Sequence, residues 1–264
     1  MMYKVDYHVH SWHSDGTMKP TELIRKFHEE EYDIISITDH DGIDAIPEAL
    51  IAGEALKMKV VTGVELAVDH EGKVLHILGY QFDHENEKLK AKMEELKKYR
   101  KERNEKVLKV LQDMGYELNE EDLKQRPGQT YIGKPNFARA LAAKGYVSTP
   151  KEAFTPGKFL ESPEVKAIRR EKMTSAEAIA LLKEAGGIAV LAHPGKIKNI
   201  GEKGSEEYWK NLDQMMRQLK IMGLKGLECY HPDHSEEECT EFVKLASKYH
   251  LHITEGSDFH GDDM

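Results

Sequence analysis

The chain has 264 residues, 39% apolar and 32% charged, with a formal net charge of −9, enough to bury one large core or a core plus an insertion. That charge argues against a broad basic groove for nucleic acid, and hence against stable DNA binding, but not against an anionic substrate, because bound divalent metals invert a local field. No apolar run approaches the roughly 20 residues of a membrane span, MMYKVDYH lacks the apolar core of a secretion signal, and Cys229 and Cys239 fit a reduced, cytoplasmic setting better than a disulfide framework.

In chain order, Tyr3, Val5, Tyr7 and Val9 alternate with Lys4, Asp6, His8 and His10, the period of a strand that puts both histidines on one face. PTELIRKFHEE reads as a helix opening on Pro20. DIISITDHDG is a strand that ends in Asp39, His40 and Asp41, and DAIPEALIAGEALK is the next helix. KVVTGVEL predicts one strand ending in Glu65, and VLHILGY predicts another that carries His76. From about residue 85 to 113 the chain is charged and helical, with Leu89, Met93, Leu96, Val107, Val110 and Leu111 as buried positions and Lys–Glu pairs as a solvated face. Pro/Gly-punctuated loops and a short helix, NFARALAAKGY, follow, so that residues 83–165 read as an inserted helical subdomain. The βα rhythm then resumes: TSAEAIALLKEAGG, IAVLAHPG with His193, SEEYWKNLDQMMRQLKIMG, KGLECYHPDH with Glu228 and His231, SEEECTEFVKLASKYH, and LHITEGSDFHG with Asp258 and His260.

Strand after strand thus ends in His, Asp or Glu. In alternating βα proteins those ends gather on one face, where active sites are built, so His8, His10, Asp39, His40, Glu65, His193, Asp258 and His260 are predicted to converge. Imidazoles and carboxylates without thiolates suit zinc, manganese or iron. There are too many for one ion, and a carboxylate such as Glu65 can bridge two ions about 3.5–4 Å apart, the arrangement used for displacement at phosphorus. The predicted chemistry is hydrolysis of a phosphate ester, with an amide as the other option. No Ser/His/Asp or Cys/His nucleophile is needed, and no Gly-rich phosphate loop of Walker type occurs.

Together HVHSWHSDG, ISITDHDG, VTGVEL, LAHPG and GSDFHG resemble, in order, the motifs of the PHP (polymerase and histidinol phosphatase) superfamily of metal-dependent phosphoesterases. IGKPNFARALAAKGYV is similar to the branch acting on nucleotides or short RNA. The resemblance implies an α/β fold, a distorted (β/α)7 TIM-like barrel over residues 1–82 and 166–264, with residues 83–165 as an inserted helical cap. It implies three divalent ions (Mn, Fe or Zn): His8, His10 and Asp258 on the first, with Glu65 bridging; Glu65, His76 and His193 on the second; Asp15, His40 and His260 on the third. Asp15 and His76 come from the resemblance alone.

The resemblance further implies that a metal-bridging hydroxide hydrolyses a nucleoside 5′-monophosphate, a 3′,5′-bisphosphate or short 5′-phosphorylated RNA. Lys134 and Asn136 stand where the branch usually has arginine and histidine and are the candidates for binding substrate, and His231 is a candidate for substrate binding or proton transfer. His13 is expected outside the ligand set, and His234 at a helix start. Asp6 is expected to orient a ligand imidazole, and Asp39 and Asp41 either to do the same for His40 or to cap the next helix. The alternatives are a histidinol-phosphate-type phosphatase, an amidohydrolase-like hydrolase, and a non-enzymatic PHP module that has lost ligands, against which stand nine intact ligand positions.

Overall fold

A computed structural model describes residues 3–261. Strand β1 (Val5–Val9) has the expected alternation, but the buried side is the polar one: Asp6 and His8 lie inside while Val5 and Tyr7 are only half-buried. Helix α1 (Pro20–Glu29) starts on proline as expected and packs Leu23, Ile24 and Phe27 against β1 and β2 (Ile34–Ile37). Helix α2 (Ile46–Leu56) leads to β3, and β1, β2 and β3 (Lys59–Val60) form one parallel sheet.

The strand expected over KVVTGVEL is two. The chain breaks after Val60 and restarts as β4 (Gly63–His70), which returns at once as β5 (Lys73–Tyr80). Their loop is Glu71-Gly72, with φ values of 52° and 80°, the two left-handed residues of a tight hairpin turn. Consequently β4 and β5 are antiparallel, and Glu65 lies inside a strand instead of at its end. The second sheet runs β4-β5-β6-β7-β8, antiparallel as far as β6 (Ile188–Leu191) and parallel through β7 (Gly226–Tyr230) and β8 (His252–Glu255). Single bridges, Val9 to Phe259 and His40 to Glu65, link the two sheets.

Helix α3 (Glu87–Asp113) belongs to two cores. Leu89, Met93 and Leu96 pack with the second sheet, whereas Val107 and Leu111 pack with α4 (Lys134–Ala143) and α5 (Pro163–Ala167). Helices α6 (Ser175–Glu184), α7 (Glu206–Met222) and α8 (Glu236–Lys248) start on Thr174, Ser205 and Ser235, whose hydroxyls accept a backbone N–H of the first turn. Among the described residues, no helix is long and apolar enough to cross a membrane.

Candidate metal centre

The predicted ligands meet. His8 is fully buried in β1, and His10 follows it directly. Nε2 of His8 lies 3.5 Å from Glu65 and 3.4 Å from Asp258, and Nε2 of His10 lies 3.4 Å from Glu65 and 3.1 Å from Asp258. Glu65 also stands 2.7 Å from His40, 2.7 Å from His76 and 2.9 Å from His193. Asp15 lies 3.5 Å from His40 and 3.3 Å from His260. Three donor groups have ligating atoms within 4.8 Å of one another: His10, Asp15, His40 and His260; His8, His10 and Glu65; His40, Glu65 and His76.

The hairpin explains His76. In the antiparallel register His76 faces Ala67, so it is the diagonal neighbour of Glu65 on the same face. The signal was local: Glu71-Gly72 between two apolar runs marks a two-residue turn, and counting back from it pairs the strands. Asp15 has no such signal, because its loop is folded by tertiary bonds. Asp39 accepts from the Ser11 N–H (2.8 Å), the Ser11 hydroxyl and the Ser14 hydroxyl (both 2.5 Å), closing the turn that presents Asp15. Two further residues sit in left-handed backbone, His193 (φ 25°) and Asp258 (φ 53°); such strain concentrates at functional sites.

Several roles differ from expectation. Asp6 does not touch an imidazole; it accepts the backbone N–H groups of His8 (3.0 Å) and Ser257 (3.1 Å), joining β1 to the Asp258 loop. The ring partner of His8 is Glu228, 2.9 Å from Nδ1, whose other oxygen accepts the His193 N–H at 2.7 Å. Neither Asp39 nor Asp41 caps α2, which starts at Ala45 without a side-chain cap. Instead Asp41 pairs with Arg100 and Arg170 and accepts the Ala67 N–H at 3.0 Å. Lys134 turns away to Glu161, 3.6 Å off. Asn136 is buried in its own helix start, accepting from the Gly133 N–H (2.9 Å) and donating to the Leu123 carbonyl (3.1 Å). A cation that does reach the centre is Lys196, 2.7 Å from Asp258. His13 lies at the rim of a cleft and His234 precedes α8, both as expected.

The hydrogen bonds set proton positions. With Nδ1 of His8 against a carboxylate and Nδ1 of His260 against the Asp258 carbonyl at 2.6 Å, both rings carry a proton there, which leaves Nε2 as the atom that would face a metal. His231 is the reverse: Nδ1 accepts the Asp233 N–H at 3.0 Å, so Nε2–H donates to Asp258 at 3.3 Å. Burial favours a neutral ring at His40, yet Glu65 and Asp15 outweigh it and hold its pKa up at about 9. Burial likewise opposes ionisation of Glu65, but His76 and His40 outweigh it and hold that carboxyl well below the usual range.

The donor set fits divalent metal. Nε2 of His8, Nε2 of His10, Oδ1 of Asp15 and Oε2 of Glu65 are buried with no aligned hydrogen-bond partner, although each lies beside another donor of the group. Two donors on one ion at 2.0–2.2 Å stand about 3–3.5 Å apart, as several of these do. Two clefts open on this centre and share His40. One, about 510 Å³, runs along α3 past Arg100 and Tyr131; the other, about 570 Å³, is lined by His76, His193 and Lys196.

Comparison with known proteins agrees with this geometry. The PHP domain pattern matches residues 6–229. A 5′-3′ exoribonuclease of Haemophilus influenzae is 29% identical over 98% of this chain and 91% of its own length. A 3′,5′-nucleoside bisphosphate phosphatase of Chromobacterium violaceum is 26% identical over 98% and 88%. A phosphoribosyl 1,2-cyclic phosphate 1,2-diphosphodiesterase of Eggerthella lenta is 29% identical over 97% and 94%. Among solved structures, a metal-dependent phosphoesterase from Bifidobacterium adolescentis superposes with a TM-score of 0.84 at 28% identity, covering 100% of this chain and 90% of its own. An amidohydrolase from Chromobacterium violaceum with bound sulfate and no metal superposes at 0.86 and 26% identity, covering 98% and 88%. With converging donors, orphaned ligating atoms and a match across nearly the whole chain, this protein belongs to the PHP domain family and is a metal-dependent phosphoesterase.

Proposed function

We propose that the substrate is a nucleotide or a short 5′-phosphorylated RNA, hydrolysed at a centre of three divalent ions (manganese, iron or zinc). The observation that carries this reading is the position of Glu65, fully buried and within 3.5 Å of His8, His10, His40, His76 and His193. A single carboxylate among so many imidazoles has to serve more than one ion. His8, His10, Asp258 and Glu65 would hold the first, Glu65, His76 and His193 the second, and Asp15, His40 and His260 the third. When bound, such ions supply the Lewis acidity that makes water nucleophilic near neutral pH and neutralises charge developing at phosphorus. The relatives acting on nucleotides, RNA and a ribosyl cyclic phosphate support the substrate class.

The chain's own residues do the positioning. Glu228 fixes the His8 ring and, through the His193 N–H, the strained turn that presents His193. His231 spends its Nε2 proton on Asp258, so it orients a ligand and does not itself protonate a leaving group. Lys196, half-exposed beside Asp258, replaces Lys134 as a cation able to meet a phosphoryl oxygen. The bridges His40–Glu65 and Val9–Phe259 support reading the two sheets as staves of one distorted barrel, and the separate core of α4 and α5 supports reading residues 83–165 as a cap over its mouth.

The test is release of phosphate or nucleoside by manganese-reconstituted protein from 5′-AMP, adenosine 3′,5′-bisphosphate, a short 5′-phosphorylated RNA and histidinol phosphate. Turnover of either nucleotide or of the RNA is the expected result. Turnover of histidinol phosphate alone, or of none of the four with metal bound, overturns the substrate assignment.

A further inference from the structure

The β4–β5 hairpin carries two of the donors, Glu65 and His76, yet its outer part is thinly supported. β5 pairs with β6 only over Ile77–Tyr80, and β4 is hydrogen-bonded to the loop after β2 at Glu65 and Ala67. Further out the backbone is held from outside by the Ala192 N–H on the His76 carbonyl (3.0 Å) and by the Asp69 N–H on the Met173 carbonyl (2.8 Å). From Ala67 to His70 and from Lys73 to His76 the strands thus form a two-stranded ribbon. Such a ribbon is marginal alone and twists more than a wider sheet. Val68 and Leu75 bury its apolar side in the core, but apolar burial is non-directional and leaves the twist loosely set.

His70 holds the tip. It is buried, with Nδ1 2.7 Å from the Ser175 hydroxyl at the start of α6 and Nε2 3.1 Å from Oε1 of Gln218 near the end of α7. Gln218 returns to the hairpin, donating Nε2–H to Glu71 at 2.8 Å. That last bond orders the others. An amide that donates through its nitrogen offers its oxygen to His70, so the ring carries its proton on Nε2 and accepts the Ser175 hydroxyl proton on Nδ1. Both ring nitrogens are satisfied, each from a different helix. None of His70, Ser175 and Gln218 lines the two clefts at the centre. Their effect reaches it through the ribbon: His76 faces Ala67, diagonal to Glu65, with its Nδ1 2.7 Å from Oε1. Diagonal partners approach or separate as the twist between two strands changes.

We infer that His70 is a positioning residue of the metal centre: anchored to Ser175 and Gln218, it fixes the twist of the β4–β5 ribbon and so preforms the Glu65–His76 pair before metal arrives. The inference rests on the reading of Glu65 and His76 as ligands of one ion. A donor pair already in place binds a metal without first paying to order the ribbon, so the anchor acts on metal affinity and not only on stability.

The test uses metal-free protein and zinc alone. Wild type, His70→Leu, His70→Gln and Glu65→Gln are titrated with zinc in a calorimeter, beside Leu141→Ala from the separate core of α4 as a stability control. Hydrogen–deuterium exchange of the same proteins without zinc locates any loosening. For His70→Leu the expected zinc Kd is about 10-fold above that of wild type, the low end for a residue acting behind a ligand, with faster exchange confined to residues 64–78. His70→Gln keeps one donor and one acceptor and is expected to recover part of both effects. Leu141→Ala opens a cavity in another core and is expected to lower Tm while leaving the Kd unchanged. A zinc Kd for His70→Leu within twofold of wild type, exchange that quickens throughout the chain, or an equal loss of affinity in Leu141→Ala would each overturn the inference. If Glu65→Gln alone weakens zinc binding, only the role of His70 falls. If neither Glu65→Gln nor His70→Leu moves the Kd, the ligand reading falls and takes the inference with it.

Discussion

Replacing Glu228 by glutamine keeps its volume and removes one acceptor. Glu228 is fully buried; one oxygen takes the His8 Nδ1–H at 2.9 Å and the other takes the His193 backbone N–H at 2.7 Å. A carboxamide has one oxygen and one NH2, so it satisfies only one of these donors. Turned toward His193, its NH2 meets His8 and drives the ring proton to Nε2, the atom that faces Glu65 and Asp258. Turned the other way, it leaves the His193 N–H unpaired against a second donor. Loss of such a partner behind a ligand histidine costs 10–100-fold in metal affinity, or about 1.4–2.7 kcal/mol. An unsatisfied buried donor costs the metal-free fold about 1–3 kcal/mol. Calorimetric titration of manganese or zinc into stripped Glu228→Gln, beside thermal melts, separates the two effects. A metal Kd within twofold of wild type, with only the melt lowered, refutes the argument and leaves Glu228 a packing residue.

Three further outcomes follow from the same geometry. Gly256→Ala would place a methyl 2.2 Å from Cβ of His8 and 2.7 Å from Glu228; a displacement of about 1 Å at a reacting centre costs on the order of 10²-fold in turnover, so steady-state rates near wild type would contradict it. Glu65→Gln is expected to lower turnover by at least about 10²-fold while circular dichroism shows a folded chain; retained activity would count against a bridging role. His234 donates Nδ1–H to the Cys229 carbonyl at 3.1 Å and accepts the Gly195 N–H at 3.3 Å, and burial lowers its pKa to about 4. Since the folded state disfavours its protonation, stability present above about pH 6.5 is lost as pH falls toward 4, by roughly 2–3 kcal/mol. His234→Gln keeps a donor and an acceptor without titrating, so urea unfolding of metal-free protein between pH 7 and 4.5 should show a shallower loss; equal slopes would remove His234 as a cause.

Much of the candidate site was legible because its nitrogen and oxygen donors sit where periodicity changes. His10, His40, His193, Asp258 and His260 each follow the last residue of a strand or the turn beyond it, and an apolar run that stops on a histidine shows in the sequence itself. The helix starts at Pro20, Thr174, Ser205 and Ser235 were equally local, since a cap is a bond within one turn. His76 and Asp15 needed family likeness, because a diagonal pair across a hairpin and a loop closed by Asp39 are contacts between distant residues.

What the sequence by itself determined is the order of strands and helices apart from the break within KVVTGVEL, the shared face of His8 and His10, and the set of nitrogen and oxygen donors, all properties of side-chain type at short spacing. Only the tertiary structure decided that β4 and β5 run antiparallel, that Glu228 and not Asp6 holds the His8 ring, and that Lys134 and Asn136 serve their own helix while Lys196 and the arginines about Asp41 flank the centre. The physical reason is reach. A side chain on α3 or in the loop after β6 has many possible partners along the chain, and the one it meets depends on how helices and sheets pack across tens of residues, which spacing does not encode.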